Sequence, residues 1–224
     1  VINTRETKNY LIEPYFSYRK KFNNQHNLNT TLGLSSQVND TRLLNTRVEN
    51  FPVDVLGTGN IGLGLNPAIP VSARIKRVLQ SYYLRLNYNF KQKYFFSFTG
   101  RADGSSVFAE NKKWGFFPSI GAGWTISNES FMNNFKMLSN LKLRTSYGIT
   151  GSQSIQPFQS LSLLSVANST FENNLYSGLS PGRFGNPDLE WEKTSQYNIG
   201  LDVGFLKNRF SLSLDYYNKR TNDL

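Results

Sequence analysis

The sequence has no cysteine, which excludes a disulfide framework, a thiolate metal centre and a cysteine nucleophile. It has a single histidine, His26, so a multi-histidine metal site is excluded within the chain. No run of about 18 apolar residues occurs, which excludes a transmembrane helix. A β-spanning membrane protein stays open, because a strand crosses with only about 10 alternating residues. Aliphatic residues are scarce: apolar types make up 38% of the chain although aromatics alone reach 14%. A soluble α/β enzyme carries more Ala, Leu, Val and Glu. Many aromatics with few aliphatics point instead to β-structure with large interfacial side chains. No secretory leader opens the chain at Val1, and Leu224 follows closely on a strand pattern, so the expectation is a piece of a longer protein.

Acidic charge is also in short supply, and the net charge is +10. The basic clusters Arg74-Lys76-Arg77, Lys91-Lys93 and Lys112-Lys113 fall at turns and loop ends. Nucleic-acid binding needs a basic stripe on one face with stacking aromatics. Solvated turn charges are the better reading, and no nucleic-acid partner is expected.

What the chain does have is alternation. Tyr94, Phe96, Phe98, Gly100 and Ala102 oppose Phe95, Ser97, Thr99, Arg101 and Asp103. Phe116, Pro118, Ile120, Ala122, Trp124 and Ile126 oppose Phe117, Ser119, Gly121, Gly123 and Thr125. The same pattern predicts strands over Tyr10–Arg19, His26–Ser35, Leu79–Phe90, Leu141–Thr150, Gln196–Gly204 and Phe210–Tyr217, about eight in all. Pro14 lacks a donor and is unusual inside a paired strand. Ser127–Asn140 has the length and caps for a short helix.

The polar faces carry Arg85, Arg101, Asp103, Lys142, Arg144, Asp202 and Asp215. A soluble sandwich also has one polar face, so alternation alone leaves both architectures open. The connections carry more information. Short links at 20–25, 91–93 and 206–208 alternate with long ones at 38–78, 104–115 and 151–194, and 127–140 falls on the short side by parity. Short turns at one end and long loops at the other are the pattern of an outer-membrane β-barrel, and aromatics near strand ends suit its interfacial girdles.

Competing motifs are weak. Gly57-Thr-Gly-Asn-Ile-Gly62 has dinucleotide-fingerprint spacing, but Gly64, Asn66, Pro67 and Pro70 forbid the helix that motif needs. Asp188, Glu190 and Glu192 resemble a glycosidase carboxylate set, yet they sit at a loop–strand junction where a structural role is expected. Asp103-Gly-Ser-Ser106 has one carboxylate and no EF-hand spacing, so it reads as a turn held by Asp103. No cofactor and no metal are expected.

Four motifs in order carry a resemblance. Arg101-Ala-Asp-Gly-Ser-Ser-Val-Phe108 with Trp114-Gly-Phe-Phe-Pro-Ser-Ile-Gly-Ala-Gly-Trp124 is similar to the barrel of SusC/RagA-family TonB-linked (TonB-dependent) outer-membrane proteins. So are Leu141-Lys-Leu-Arg-Thr-Ser-Tyr-Gly-Ile-Thr-Gly151, Asn186-Pro-Asp-Leu-Glu-Trp-Glu-Lys-Thr194 and Asp215-Tyr-Tyr-Asn-Lys-Arg-Thr-Asn-Asp-Leu224. The similarity is strongest over 79–224. The resemblance implies an all-β, antiparallel transmembrane barrel of about 22 strands around a plug, with residues 1–224 forming part of the barrel domain. The plug and TonB box fall outside this chain. It implies active import of oligosaccharides or peptides across the outer membrane of a Gram-negative, Bacteroidetes-type bacterium. A SusD-like lipoprotein, the TonB–ExbB–ExbD system and outer-membrane lipid are the implied partners.

A transporter performs no chemistry on its cargo, so no catalytic residue is expected. Candidate glycan- or peptide-contacting residues are the lumen-facing Arg85, Arg101, Asp103, Lys142 and Arg144, and the loop aromatics Phe158, Phe171, Tyr176 and Phe184. The alternatives are a non-enzymatic surface β-sheet carbohydrate-binding module and, more distantly, an all-β hydrolase using Glu190 and Glu192. The loop 38–78 also bears Arg42, Arg47, Glu49, Asp54 and Asn60. One geometric test separates barrel from module. Leu84, Leu86, Phe96, Phe98, Ile120, Leu143, Ile199, Leu201, Leu212 and Leu214 form one outward band in a barrel, but meet across two stacked sheets in a module.

Overall fold

The computed structural model describes residues 1–53, 55, 57–135, 137–172 and 174–222; Asp54 of the long loop lies outside them. Its strands in chain order are β1 (Ile2–Ile12), β2 (Tyr15–Phe22), β3 (His26–Thr46), β4 (Val48–Glu49), β5 (Asn66–Pro67), β6 (Val71–Phe90) and β7 (Tyr94–Ser105). Then come β8 (Trp114–Thr125), β9 (Leu138–Ser152), β10 (Leu163–Phe171), β11 (Asn174–Arg183), β12 (Glu192–Phe205) and β13 (Phe210–Asn222). The described residues otherwise hold only short 3-10 turns and loops, with no α-helix. Two compact units result, Val1–Ile12 with Ser36–Val78, and Glu13–Ser35 with Leu79–Leu224.

In the larger unit the strand order is β2-β3-β6-β7-β8-β9-β12-β13. The pairs β2–β3, β6–β7, β7–β8, β8–β9, β9–β12 and β12–β13 are antiparallel. The register draws the apolar side chains into rows. Phe90, Tyr94, Trp124, Leu143, Leu201 and Leu214 are successive cross-strand partners, as are Leu86, Phe98, Ile120, Tyr147 and Tyr197. Phe96, Ile120, Leu143, Ile199, Leu212 and Leu214 are exposed. Besides the main sheet there are only the two-stranded β4–β5 and β10–β11 among the described residues, so no second sheet covers these rows. This is the outward band of a barrel wall, left open on this chain, and not the buried face of a sandwich.

Aromatics bound the band. Phe90, Tyr94 and Trp124 stack in sequence at centroid distances of 6.2 and 6.5 Å, and Tyr82 stacks on Trp114 at 5.8 Å. Tyr82 and Phe90 are eight positions apart on β6, about 27 Å along a strand. Tilted by about 40°, that is ~20 Å of height, close to the ~25 Å apolar band of such barrels.

The chain reverses tightly at one end of the larger unit. Asn23–Asn24 and Lys91–Gln92 both have positive φ, the type I′ hairpin geometry, with Gln25 N–H donating to Phe22 O and Lys93 N–H to Phe90 O. Asparagine tolerates that conformation, but Lys91 and Gln92 do not favour it. Their turn is held from outside: Gln92 N–H donates to Asn89 Oδ1 at 3.0 Å and Asn128 Nδ2 to the Gln92 carbonyl at 3.0 Å.

Several boundaries differ from the sequence expectation. β3 runs on to Thr46 and β6 begins at Val71, so much of the expected 38–78 excursion is strand. The expected 151–194 excursion contains the β10–β11 hairpin. β7 continues through Asp103 to Ser105, which takes Asp103 out of the predicted turn. The predicted helix at 127–140 is two 3-10 turns, Ile126–Asn128 and Ser130–Met132. Pro14 marks the break between β1 and β2; its carbonyl still accepts from Leu34 N–H at 3.1 Å. The 57–62 glycine motif forms two 3-10 turns without a following helix, which removes the dinucleotide reading.

Candidate functional site

The polar face of the larger unit presents a cavity of about 740 Å³ toward its short-turn end. Alternation puts Arg19, Lys21, Asn29, Phe95, Lys142 and Arg144 on this face, and Gly121, Gly123 and Gly200 form a floor without side chains. Among the described residues, no Asp or Glu lines it. Asn29 Oδ1 is buried without a hydrogen-bond partner.

Arg144 is fixed by register. It lies opposite Gly200 on β12, and Gly200 lies opposite Asp215 on β13. Its Nε donates to Asp202 at 2.7 Å and its Nη2 reaches over Gly200 to Asp215 at 3.1 Å. A Cβ at position 200 would come within 2.5 Å of the Asp215 carboxylate and 2.8 Å of the guanidinium carbon. Ser213 Oγ also donates to Asp202 at 2.7 Å. Glycine at 200 is therefore what lets one arginine clip three strands. Lys142 Nζ lies 4.6 Å from the centre of the Phe95 ring.

The five lumenal candidates do not form one site. Lys142 and Arg144 share the cavity with Arg19, at the end of the predicted strand Tyr10–Arg19, and Lys21, in the predicted 20–25 link, neither of which was among the candidates. Arg101 and Asp103 form a second cluster, with Arg101 Nε donating to Asp103 at 2.7 Å and Nη2 to the buried Ser81 hydroxyl at 2.9 Å. Arg85 stands opposite Thr99 and lines neither. The loop aromatics are also dispersed. Phe171 and Tyr176 share one face of the β10–β11 hairpin and are exposed. Phe158 sits in the left-handed region, its carbonyl accepting from Arg183, and Phe184 projects freely.

At the long-loop end the sequence reading gave the motifs but not their contact. Val107, Phe108, Phe117 and Trp191 form the buried cluster among the described residues, flanked by Leu79, Ile149, Ile155 and Leu189. Trp191 meets Phe108 at 4.8 Å and Phe117 edge-on at 5.2 Å, and its indole N–H donates to the Lys113 carbonyl at 2.9 Å. The Phe117 ring lies over Gly115 and Gly151, where any Cβ would overlap it. Ala109 N–H donates to Leu189 O at 3.3 Å, and Lys112 pairs with Glu190 at 3.2 Å. The 106–113 link and the 186–191 segment thus lock together at the base of the β10–β11 hairpin. Glu190 serves this lock, and Asp188 N–H is held by Asn186 Oδ1 at 3.0 Å, which supports the structural reading of that acidic run.

At the short-turn end, Glu129 accepts from Lys93 Nζ at 2.8 Å, Tyr94 Oη at 2.8 Å and Trp124 Nε1 at 3.1 Å. Lys93 first, then the Tyr94 and Trp124 donors, pull its carboxyl down to about 2. The 91–93 turn, the aromatic girdle and the 126–132 turn meet at this one carboxylate.

Three comparisons bear on this architecture. Residues 2–224 match the family model described as TonB dependent receptor-like, beta-barrel. The chain is 36% identical over its whole length to TonB-dependent receptor P26 of Formosa agariphila, covering 23% of that protein. It is 44% identical over 154 residues to TonB-dependent receptor SusC of Bacteroides thetaiotaomicron, covering 66% of this chain and 15% of that one. Its fold superposes on the RagAB peptide transporter with a TM-score of 0.84 at 30% identity, over 99% of this chain and 25% of that one. The siderophore receptor PirA from Acinetobacter baumannii shares the fold at a TM-score of 0.56 and 14% identity. The chain spans between 15% and 28% of the length of these relatives.

Proposed function

This chain belongs to the TonB-dependent receptor-like β-barrel family, and we propose that it forms part of the wall of an outer-membrane importer whose cargo is taken up with TonB-transmitted energy. Residues 1–224 are one contribution to a single barrel domain. The observation that carries the reading is the two-faced sheet: an apolar band of exposed and half-buried side chains between aromatic girdles, backed by a face of arginine, lysine and asparagine around a cavity. A strand wall of that kind is stable only with lipid on one side and a wet or filled lumen on the other.

The cargo is an oligosaccharide or a peptide, engaged from the long-loop side, and a SusD-like lipoprotein caps that side. The relatives named SusC and RagAB support this class of cargo and partner. Phe171 and Tyr176, side by side on the projecting hairpin, offer stacking surface, and the lumenal cations line the route inward. The family is one of receptors and transporters, so no residue of this chain is assigned a catalytic role. Uptake of labelled oligosaccharide and peptide pools by cells carrying the intact parent protein tests the proposal. Deleting TonB is expected to abolish uptake while the protein stays in the outer membrane; uptake that persists unchanged overturns the energy coupling.

A further inference from the structure

The smaller unit carries a charged outward face that the transport reading does not use. Antiparallel partners share a face, so the register places Tyr10 with Val38, Lys8 with Asp40 and Glu6 with Arg42 on the same side of the β1–β3 pair. Ile12 and Tyr10, both exposed, continue that face at the β1 end. Arg74 of β6 joins it through a two-pronged pair with Asp40 at 2.7 and 3.0 Å, and Lys76, two residues on, shares its side of the strand. The face therefore changes from apolar to cationic within one pair of positions.

The charge is not balanced there. Lys8 pairs with Glu6 at 3.0 Å and Arg74 with Asp40. Among the described residues, Arg42 and Lys76 have no carboxylate within ion-pair distance, and both are exposed. Asp40 lies among Arg74, Arg42 and Lys76, and Arg74 above all holds its carboxyl below the usual range. Four cations face two carboxylates, and the two uncompensated ones flank a fixed guanidinium. Tyr10 and Ile12 set against two cations without a carboxylate and a preorganised arginine suit an amphiphile whose acyl chains meet the two apolar side chains and whose anionic group sits beside the cations.

We propose that this face binds the phosphorylated headgroup of a glycolipid in the outer leaflet, with Arg42 and Lys76 taking the phosphate and Tyr10 and Ile12 meeting the acyl boundary. The proposal rests on the outer-membrane reading. Purified full-length parent receptor is mixed with mixed micelles containing either bis-phosphorylated lipid A or its dephosphorylated form, and retained lipid is counted by native mass spectrometry. Removing one surface cation weakens headgroup attraction about fivefold, so Arg42→Ser with Lys76→Ser is expected to lower retention of the phosphorylated form by about 25-fold. Arg5→Ser with Arg77→Ser removes the same charge from the opposite side of β1 and β6 and is expected to change retention little. Wild-type receptor is expected to hold the dephosphorylated form no better than the outward double variant holds the phosphorylated one. Equal loss from both double variants, no loss from the outward one, or equal retention of both lipids overturns the proposal. Heat-modifiable migration of each variant reports the barrel separately, so a failure of the outer-membrane reading is told apart from a failure of the headgroup site. Lys76→Glu alone gives the same readout should the double variant not fold.

Discussion

Replacing Trp191 isolates what the long-loop lock contributes. Its side chain is 4% exposed, contacts Phe108 and Phe117 and donates one hydrogen bond to Lys113 O. Trp191→Phe keeps an aromatic ring against both neighbours and removes only the indole hydrogen bond to a carbonyl that Ser105 N–H still occupies, at a cost of about 1 kcal/mol. Trp191→Ala removes the ring as well and opens a cavity, at a cost of about 3–5 kcal/mol. A large barrel spreads its stability unevenly, so the loss is expected as local opening and not as global unfolding. Hydrogen exchange of the full-length parent protein reads it directly. Amides 105, 107 and 109 are bonded within the lock, Ser105 N–H to Lys113 O and Ala109 N–H to Leu189 O. Their exchange is expected to accelerate about fivefold in Trp191→Phe and roughly 10² to 10³-fold in Trp191→Ala, up to the unprotected rate. Peptides around Glu129 serve as the control and should not change. Equal exchange in wild type and Trp191→Ala, or equal acceleration in the two variants, refutes the claim that ring packing holds this base together.

Three further outcomes follow from other contacts. The Glu129 carboxyl is lowered from 4.5 to about 2 in the folded protein, so its stabilisation is full above the unfolded value and fades as pH falls from about 4.5 through about 2; denaturation midpoints of wild type should drop across that window more than those of Glu129→Gln. Gly200→Ala should push the guanidinium off Asp215 while sparing its pair with Asp202, so an Arg144–Asp215 double-mutant cycle worth about 0.5 kcal/mol in the wild-type background should fall to near zero. Lys91→Asn with Gln92→Gly supplies the residues a type I′ turn favours and should stabilise the β6–β7 hairpin by about 1 kcal/mol, read as a raised unfolding midpoint.

The main strands were legible because lipid imposes the period. Wherever a strand crosses the band, one face must be apolar, and Leu84–Phe90 or Phe96–Ala102 then alternate visibly. Where no apolar face is required that pressure ends. Asp40 and Arg42 of β3 and Arg74 and Lys76 of β6 take even-numbered positions that are apolar elsewhere on these strands, so the strands there lose their alternation and read as loop. The β10–β11 hairpin was hidden for the same reason. Arg144 was correctly placed on the polar face, but its role needed register: only the pairing of Arg144 with Gly200 and of Gly200 with Asp215 makes the glycine informative. Arg19 and Lys21 flank a strand end in the sequence and carry no local signal of a cavity; only the pairing of β2 with β3 brings them to line one. The lock between Phe108 and Trp191 joins segments far apart in sequence, and no local pattern reports such a contact.

The central claim is that one face of this sheet meets lipid and the other meets water. Spin labels placed singly from position 95 to 101 in the full-length parent protein, reconstituted in bilayers, test it by their collision rates with oxygen and with a water-soluble nickel chelate. The account predicts strict alternation, with positions 96 and 98 accessible to oxygen and positions 97, 99 and 101 accessible to nickel or shielded from both by whatever fills the lumen. Nickel accessibility at 96 and 98 equal to that at their neighbours would contradict it.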